Sequence, residues 1–154
     1  STPERLANSE GSVDGVRVAV DRATGRGMVL WQQNSPAGTN DLWARPLDPT
    51  TGWGTATTIE AASGSVGKSS VGLDASGNAL AVRSQIGPNT RFSVYANRYT
   101  PSGGWGSASL IETNEVIGTV DGDPVVAVAQ GGDAVAVCKL DGTVQETKVR
   151  PATY

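Results

Sequence analysis

Apolar and polar positions alternate in short runs along this chain, and the runs recur. "RVAVDRATGRGMVLWQQ" (17–33), "SVGLDASGNALAVRSQ" (70–85) and "VVAVAQGGDAVAVCKL" (125–140) each hold two such runs around a glycine-containing turn. Alternation at period two predicts strands with one face buried, because successive side chains leave a strand on opposite sides. No long window sets apolar residues at helical spacing opposite a charged face, so the pattern predicts an all-β chain. Asp21 and Asp74 stand where the first turn begins in units one and two. A carboxylate there accepts N–H bonds from the turn backbone, and the following glycine supplies positive φ.

Aligning the chain with itself on Gly25, Gly77 and Gly132 brings Trp31, Arg83 and Cys138 into register. A third strand is predicted over "DLWARPL" (41–47), "FSVYANRY" (92–99) and "TVQETKV" (143–149), which makes Trp43 and Tyr95 equivalent. A "GWG" turn holding Trp53 or Trp105 follows in the first two units, and "TTIEA" (57–61) or "SLIE" (109–112) supplies a fourth strand. Four antiparallel strands at a period of about 52 residues match the blade of a β-propeller. The predicted blades cover about 15–63, 64–116 and 117–154 within a single domain, 1–154. Pro46 lacks an N–H inside a predicted strand, so a bulge or an early strand end is expected there.

The third unit has no fourth strand of its own. Leu6 precedes Asp21 by the same 15 positions that separate Ile59 from Asp74, so "ERLA" stands in the place of a fourth strand. Propellers carry 4 to 8 blades, and three sheets do not enclose a channel. The expectation is therefore a homodimer: two chains joined head to tail into six blades, residues 3–8 of each completing the last blade of the other, with a piece of a longer propeller or a nine-bladed trimer as the alternatives.

Composition narrows the function classes. The chain has 154 residues, 20 of them glycine, and a net charge of −3. It shows no basic cluster that could neutralise phosphates, so no nucleic-acid partner is expected. Its longest apolar run, 125–129, is too short for a membrane span. No leader opens the sequence, which suits a mature or a cytosolic protein. Cys138 is the one cysteine and is read as a small buried hydrophobe, an intermolecular bridge being the alternative. With no histidine and one cysteine, the usual general base, every Ser-His-Asp arrangement and the common zinc sites are absent. Neither a cofactor nor a metal is expected. Asp121 and Asp123 in "DGDP" offer two carboxylates to calcium, and a solvated loop is the competing reading.

The units "VAVD…GNALAV…YANRYTPSGGWG…LIE" resemble the repeats of bacterial secreted or lipoprotein β-propellers. In organisation the chain is also similar to the small bacterial and fungal lectins that assemble a six-bladed propeller from short chains. That resemblance implies monosaccharide pockets within and between blades, built from a tryptophan after a glycine-rich turn with an arginine and an acidic residue. It also implies a secreted, periplasmic or cell-surface location.

Trp31, Trp53, Arg83, Tyr95 and Trp105 are therefore the candidate ligand-binding residues, with no catalytic residue assigned. Each aromatic has a packing role as its competing reading, because both faces of a blade meet neighbours. Arg83, in an otherwise apolar strand, needs a carboxylate, a carbonyl or an opening to solvent. The expected function is non-enzymatic carbohydrate binding. A protein-interaction scaffold and a hydrolase remnant remain as alternatives.

Overall fold

The computed structural model describes residues 3–7, 11–36, 38–60, 64–87, 92–111, 123–140 and 143–149. These residues hold no helix and form three antiparallel sheets. The first contains β1 (Val13–Val20), β2 (Gly27–Asn34), β3 (Asn40–Asp48), β4 (Gly52–Trp53) and β5 (Thr57–Thr58). The second contains β6 (Val66–Leu73), β7 (Ala79–Ile86), β8 (Phe92–Thr100), β9 (Gly104–Trp105) and β10 (Ser109–Leu110). The third contains β11 (Val125–Val128), β12 (Ala134–Leu140) and β13 (Thr143–Val149).

The turns behave as their residues dictate. Gly25, Gly77 and Gly132 take φ of 73°, 85° and 93°, which L side chains adopt at a cost. Asp21 accepts the Thr24 N–H, and Asp74 accepts the N–H of Asn78 and its side-chain amide. The Thr24 hydroxyl also donates to Asp21, and this bond first, with the Thr24 N–H after it, holds the Asp21 carboxyl below the ordinary carboxylate range.

Pro46 neither ends nor bulges β3, which runs on to Asp48 in unbroken register with β2, Met28 opposite Pro46. The irregularity lies in the chain alongside: residues 54–56 loop out between β4 and β5. The Pro46 carbonyl accepts the Gly54 N–H at 2.9 Å. A strand residue's N and O point the same way, so the missing N–H of Pro46 faces this break and not β2. The same break recurs opposite Arg98, where Gly106 donates to the carbonyl. It is a feature of the repeat, and proline is tolerated because no donor is needed there.

The sheets pack face to face, with β6 against β1 on one side and β11 on the other. Met28, Leu30, Leu42, Ala44 and Ile59 of the first sheet meet Val66, Ala79 and Ala81 of the second, with Val71 and Leu73 against them. On the other face of the second sheet, Leu80, Val82 and Ala96 meet Val126, Ala134 and Ala136, with Val128 against them. Gly72 permits the approach, since a Cβ there would sit 2.4 Å from Val128. Cys138 is buried.

The repeat makes the two outer faces informative. Val18 and Val20 stand opposite Val29 and Gly27 as Val71 and Leu73 stand opposite Ala81 and Ala79. Yet Val18 and Val20 are 65% and 55% exposed. At the far end Val125 is 56% exposed and Val135 is exposed as well. Residues 3–6 carry no strand, and Glu4 is paired with Arg45 at 3.1 Å. Residue 8 and residues 150–154 lie outside the described residues.

Candidate functional site

A cleft of about 540 Å³ opens between the first two sheets. Thr57, Thr58, Ile59 and Glu60 form one wall, and Asn97, Tyr99, Trp105 and Gly106 the other. Pairing explains the second wall. Ala81, Arg83 and Ala79 lie opposite Asn97, Tyr95 and Tyr99, and Tyr99 lies opposite Trp105. Residues directly opposite share a face, so all of these point toward the first sheet.

Trp105 stands on Tyr99 with ring centroids 5.3 Å apart and planes at 53°. Its ring packs on the inter-sheet core while its indole nitrogen, buried, has no hydrogen-bond partner among the described residues. It therefore serves both packing and the cleft.

Arg83 does not line the cleft. It is completely buried behind the wall, its guanidinium 5.5 Å from the Tyr95 ring centroid. Nε donates to Gln85 Oε1 at 2.9 Å, Nη1 donates to Asn97 Oδ1, and Nη2 has no partner among the described residues. Of the three options expected for it, a carboxylate, a carbonyl or an opening to solvent, the described partners are the carbonyl oxygens of side-chain amides. Asn97 passes the linkage on, its Nδ2 donating to the Gly106 carbonyl at 2.8 Å in the Trp105 turn. Burial pulls the Arg83 guanidinium down to about 10, with Glu60 and Tyr95 acting in the opposite sense. Arg83 accordingly stays charged at neutral pH.

Glu60 Oε2 accepts the Leu42 N–H at 2.7 Å. Burial raises its carboxyl above the ordinary range; the Leu42 bond and Arg83 oppose the rise, and Asp41 adds to it. A raised folded value means that the native state holds this proton more tightly than the unfolded chain. The resulting stabilisation is complete below the unfolded value and is lost as pH rises through the folded one. Glu60→Gln keeps an acceptor for Leu42 and removes the titration. Thermal melts between pH 4 and pH 8 are expected to show the variant gaining on the parent as pH rises. A constant difference would contradict the assignment.

The other candidates fall on the outward face of the first sheet. Trp31, 3% exposed, stacks on Trp43 at 6.2 Å with planes 12° apart and donates from Nε1 to Gln33. The pair Trp31–Trp43 thus occupies the register of Arg83–Tyr95. Trp53 lies under the Arg45 guanidinium at 5.9 Å. Arg45 Nε donates to the Gly54 carbonyl at 2.7 Å, the bond that Asn97 makes to Gly106. The fold thus brings Arg83, Tyr95 and Trp105 onto one face and Trp31 and Trp53 onto another.

Sequence reasoning left out Glu60 and Asn97. Asn97 had a signal: it shares the register of Arg45, just before the third strand reaches the tryptophan turn. Of the calcium candidates, Asp121 lies outside the described residues, and among the described residues no three acidic, histidine or cysteine side chains cluster as a metal set.

No protein-family model matches the chain, and no curated protein matches it. Among solved structures it is similar to a fucose lectin from Kordia zhangzhouensis in complex with methyl-fucoside, with a TM-score of 0.51 at 17% identity. The similarity covers 90% of this chain and 94% of that one. At that identity, it is a likeness of fold.

Proposed function

We propose that the chain contributes three blades of a β-propeller, that a second copy completes a six-bladed ring, and that the assembly binds carbohydrate in clefts between blades. The observation that carries the binding reading is the composition of the cleft between the first two sheets. A tryptophan face takes the C–H surface of a sugar ring, while Thr57 and Glu60 stand beside it to meet hydroxyl groups. The buried Arg83–Asn97–Gly106 linkage holds the tryptophan turn in place, so little is lost in ordering it when ligand binds. The likeness in fold to a fucose lectin supports the same reading.

The ring rests on the exposed valines. In the two internal interfaces, Val71 and Leu73 of one sheet and Val126 and Val128 of the next are covered by the sheet before them. Val18 and Val20 are their equivalents and have no such cover. The face bearing Val125 and Val135 repeats the one that Met28 and Leu30 present to the second sheet, so it is the complement that Val18 and Val20 lack. A secreted or cell-surface location accords with this role.

A glycan array tests the binding reading. One sugar class is expected to bind, and Trp105→Ala to weaken it by about tenfold or more. Trp105→Phe keeps an aromatic filler in the core and is expected to retain part of the affinity. A blank array, with a protein captured on the ring instead, would replace this reading by the scaffold.

A further inference from the structure

We infer that each chain carries one open carbohydrate cleft, so that the proposed ring holds two, facing outward on opposite sides, and bridges two separate glycan-bearing surfaces. This rests on the carbohydrate and ring readings above and gives them a valency. It begins from register. In the second sheet Arg83 stands opposite Tyr95, Ala81 opposite Asn97 and Ala79 opposite Tyr99. The same places hold Trp31 and Trp43, Val29 and Arg45, and Gly27 and Leu47 in the first sheet. In the third they hold Cys138 and Gln145, Ala136 and Thr147, and Ala134 and Val149. Of the three, the second sheet alone sets a neutral amide beside a tryptophan turn, with Arg83 anchoring that amide from behind.

The other two interfaces lack such a cleft for different reasons. Between the second and third sheets the small, buried Cys138 replaces Arg83 and clusters with Val94, Ile111 packing against them. Residues 117–154 hold no tryptophan. The inner strands also close up there: Gly72 stands where the first sheet has Ala19, and a Cβ on it would sit 2.4 Å from Val128. On the outward face of the first sheet the tryptophan is present but occupied. Trp31 and Trp43 fill the place of Arg83 and Tyr95, stacked at 6.2 Å. The Arg45 guanidinium lies 5.9 Å over the Trp53 ring, held by its Nε bond to the Gly54 carbonyl. A sugar ring would have to compete with that cation for the indole face.

The Trp105 cleft opens at the rim of the ring. Neighbouring sheets meet through β1, β6 and β11, which are therefore the inner strands. Thr57, Thr58 and Trp105 line the cleft from the outer strands β5 and β9. Twofold symmetry carries a site at one of six interfaces to the interface directly across the ring. The two clefts then look away from each other. That geometry ties one surface to another instead of seating both sites on the same one.

Native mass spectrometry of the unaltered chain, titrated with the methyl glycoside of the sugar that the array selects, counts the sites. The ring is expected to take up two sugars at saturation, and Trp105→Ala to weaken both together. Beads coated with the same sugar test the bridging. The ring should clump them. Val18→Asp combined with Val20→Asp, a single chain, should keep its affinity for the free glycoside and leave the beads dispersed. Any count other than two per ring, beads that the ring coats without clumping, or a single-chain variant that clumps them overturns the inference, while the ring and its sugar binding stand. An unaltered chain with the mass of one copy removes the ring and the bridging with it, and a blank array removes the carbohydrate reading and this inference together.

Discussion

Arg83→Ala is expected to lower the stability of the fold by about 3–5 kcal/mol, the range for emptying a large core position and stranding its polar partners. The residue has no exposed surface, so its truncation leaves a cavity between the first two sheets. Gln85 loses the donor to its amide oxygen, and Asn97 loses the one that fixes its rotamer. Glu60 loses a nearby cation that holds its carboxyl down, so its proton is held still more tightly. The melting temperature should fall by about 10 °C, from the usual relation for a domain of this size. Arg83→Met keeps most of the volume and buries no charge, and it should recover a large part of the loss in stability. It should not recover ligand affinity, because Asn97 and the Gly106 turn still lack their anchor. A melt in which both variants lose equally, or a Met variant with full affinity, would show that the guanidinium does not organise the cleft.

Val18→Asp combined with Val20→Asp is expected to separate the proposed ring into single chains. In the isolated protomer these valines are largely exposed, so the charges cost the protomer little. Against a second copy each would bury a carboxylate beside Val125 and Val135, with no partner to compensate it. Each lost valine contact is worth about 1.5 kcal/mol, and each buried unpaired charge adds several more. The shift in dimer dissociation, read by sedimentation, should therefore exceed 1,000-fold, ~4 kcal/mol. Unfolding of the single chain should change little. Val71→Asp is the contrast: its position is equivalent but lies inside the chain, so it should unfold the protein.

Much of this architecture was legible because some residues admit few conformations. Gly25, Gly77 and Gly132 aligned the units, since each turn requires positive φ at that step. Asp21 and Asp74 were readable for a similar reason: their carboxylates close the turns locally, within four residues. Pro46 was misjudged because a proline in a strand is harmless or disruptive according to the side its nitrogen faces, and that depends on the neighbouring chain. The site was less legible. Trp53 and Trp105 are alike in sequence and stand in like turns, but one lies under Arg45 and the other packs on Tyr99 in a cleft shared with Asn97 and Glu60. Those neighbours come from other strands and other sheets. Arg83 was read as needing a carboxylate, a carbonyl or an opening to solvent; that side-chain amides meet it, and that it lies behind the wall of the cleft, required the packing.

The claim on which the rest depends is that this chain is half of a closed ring. Native mass measurement on the unaltered chain at micromolar concentration tests it directly. The account predicts a single species of twice 15.7 kDa. A single species of 15.7 kDa that still binds glycan with full affinity would contradict it.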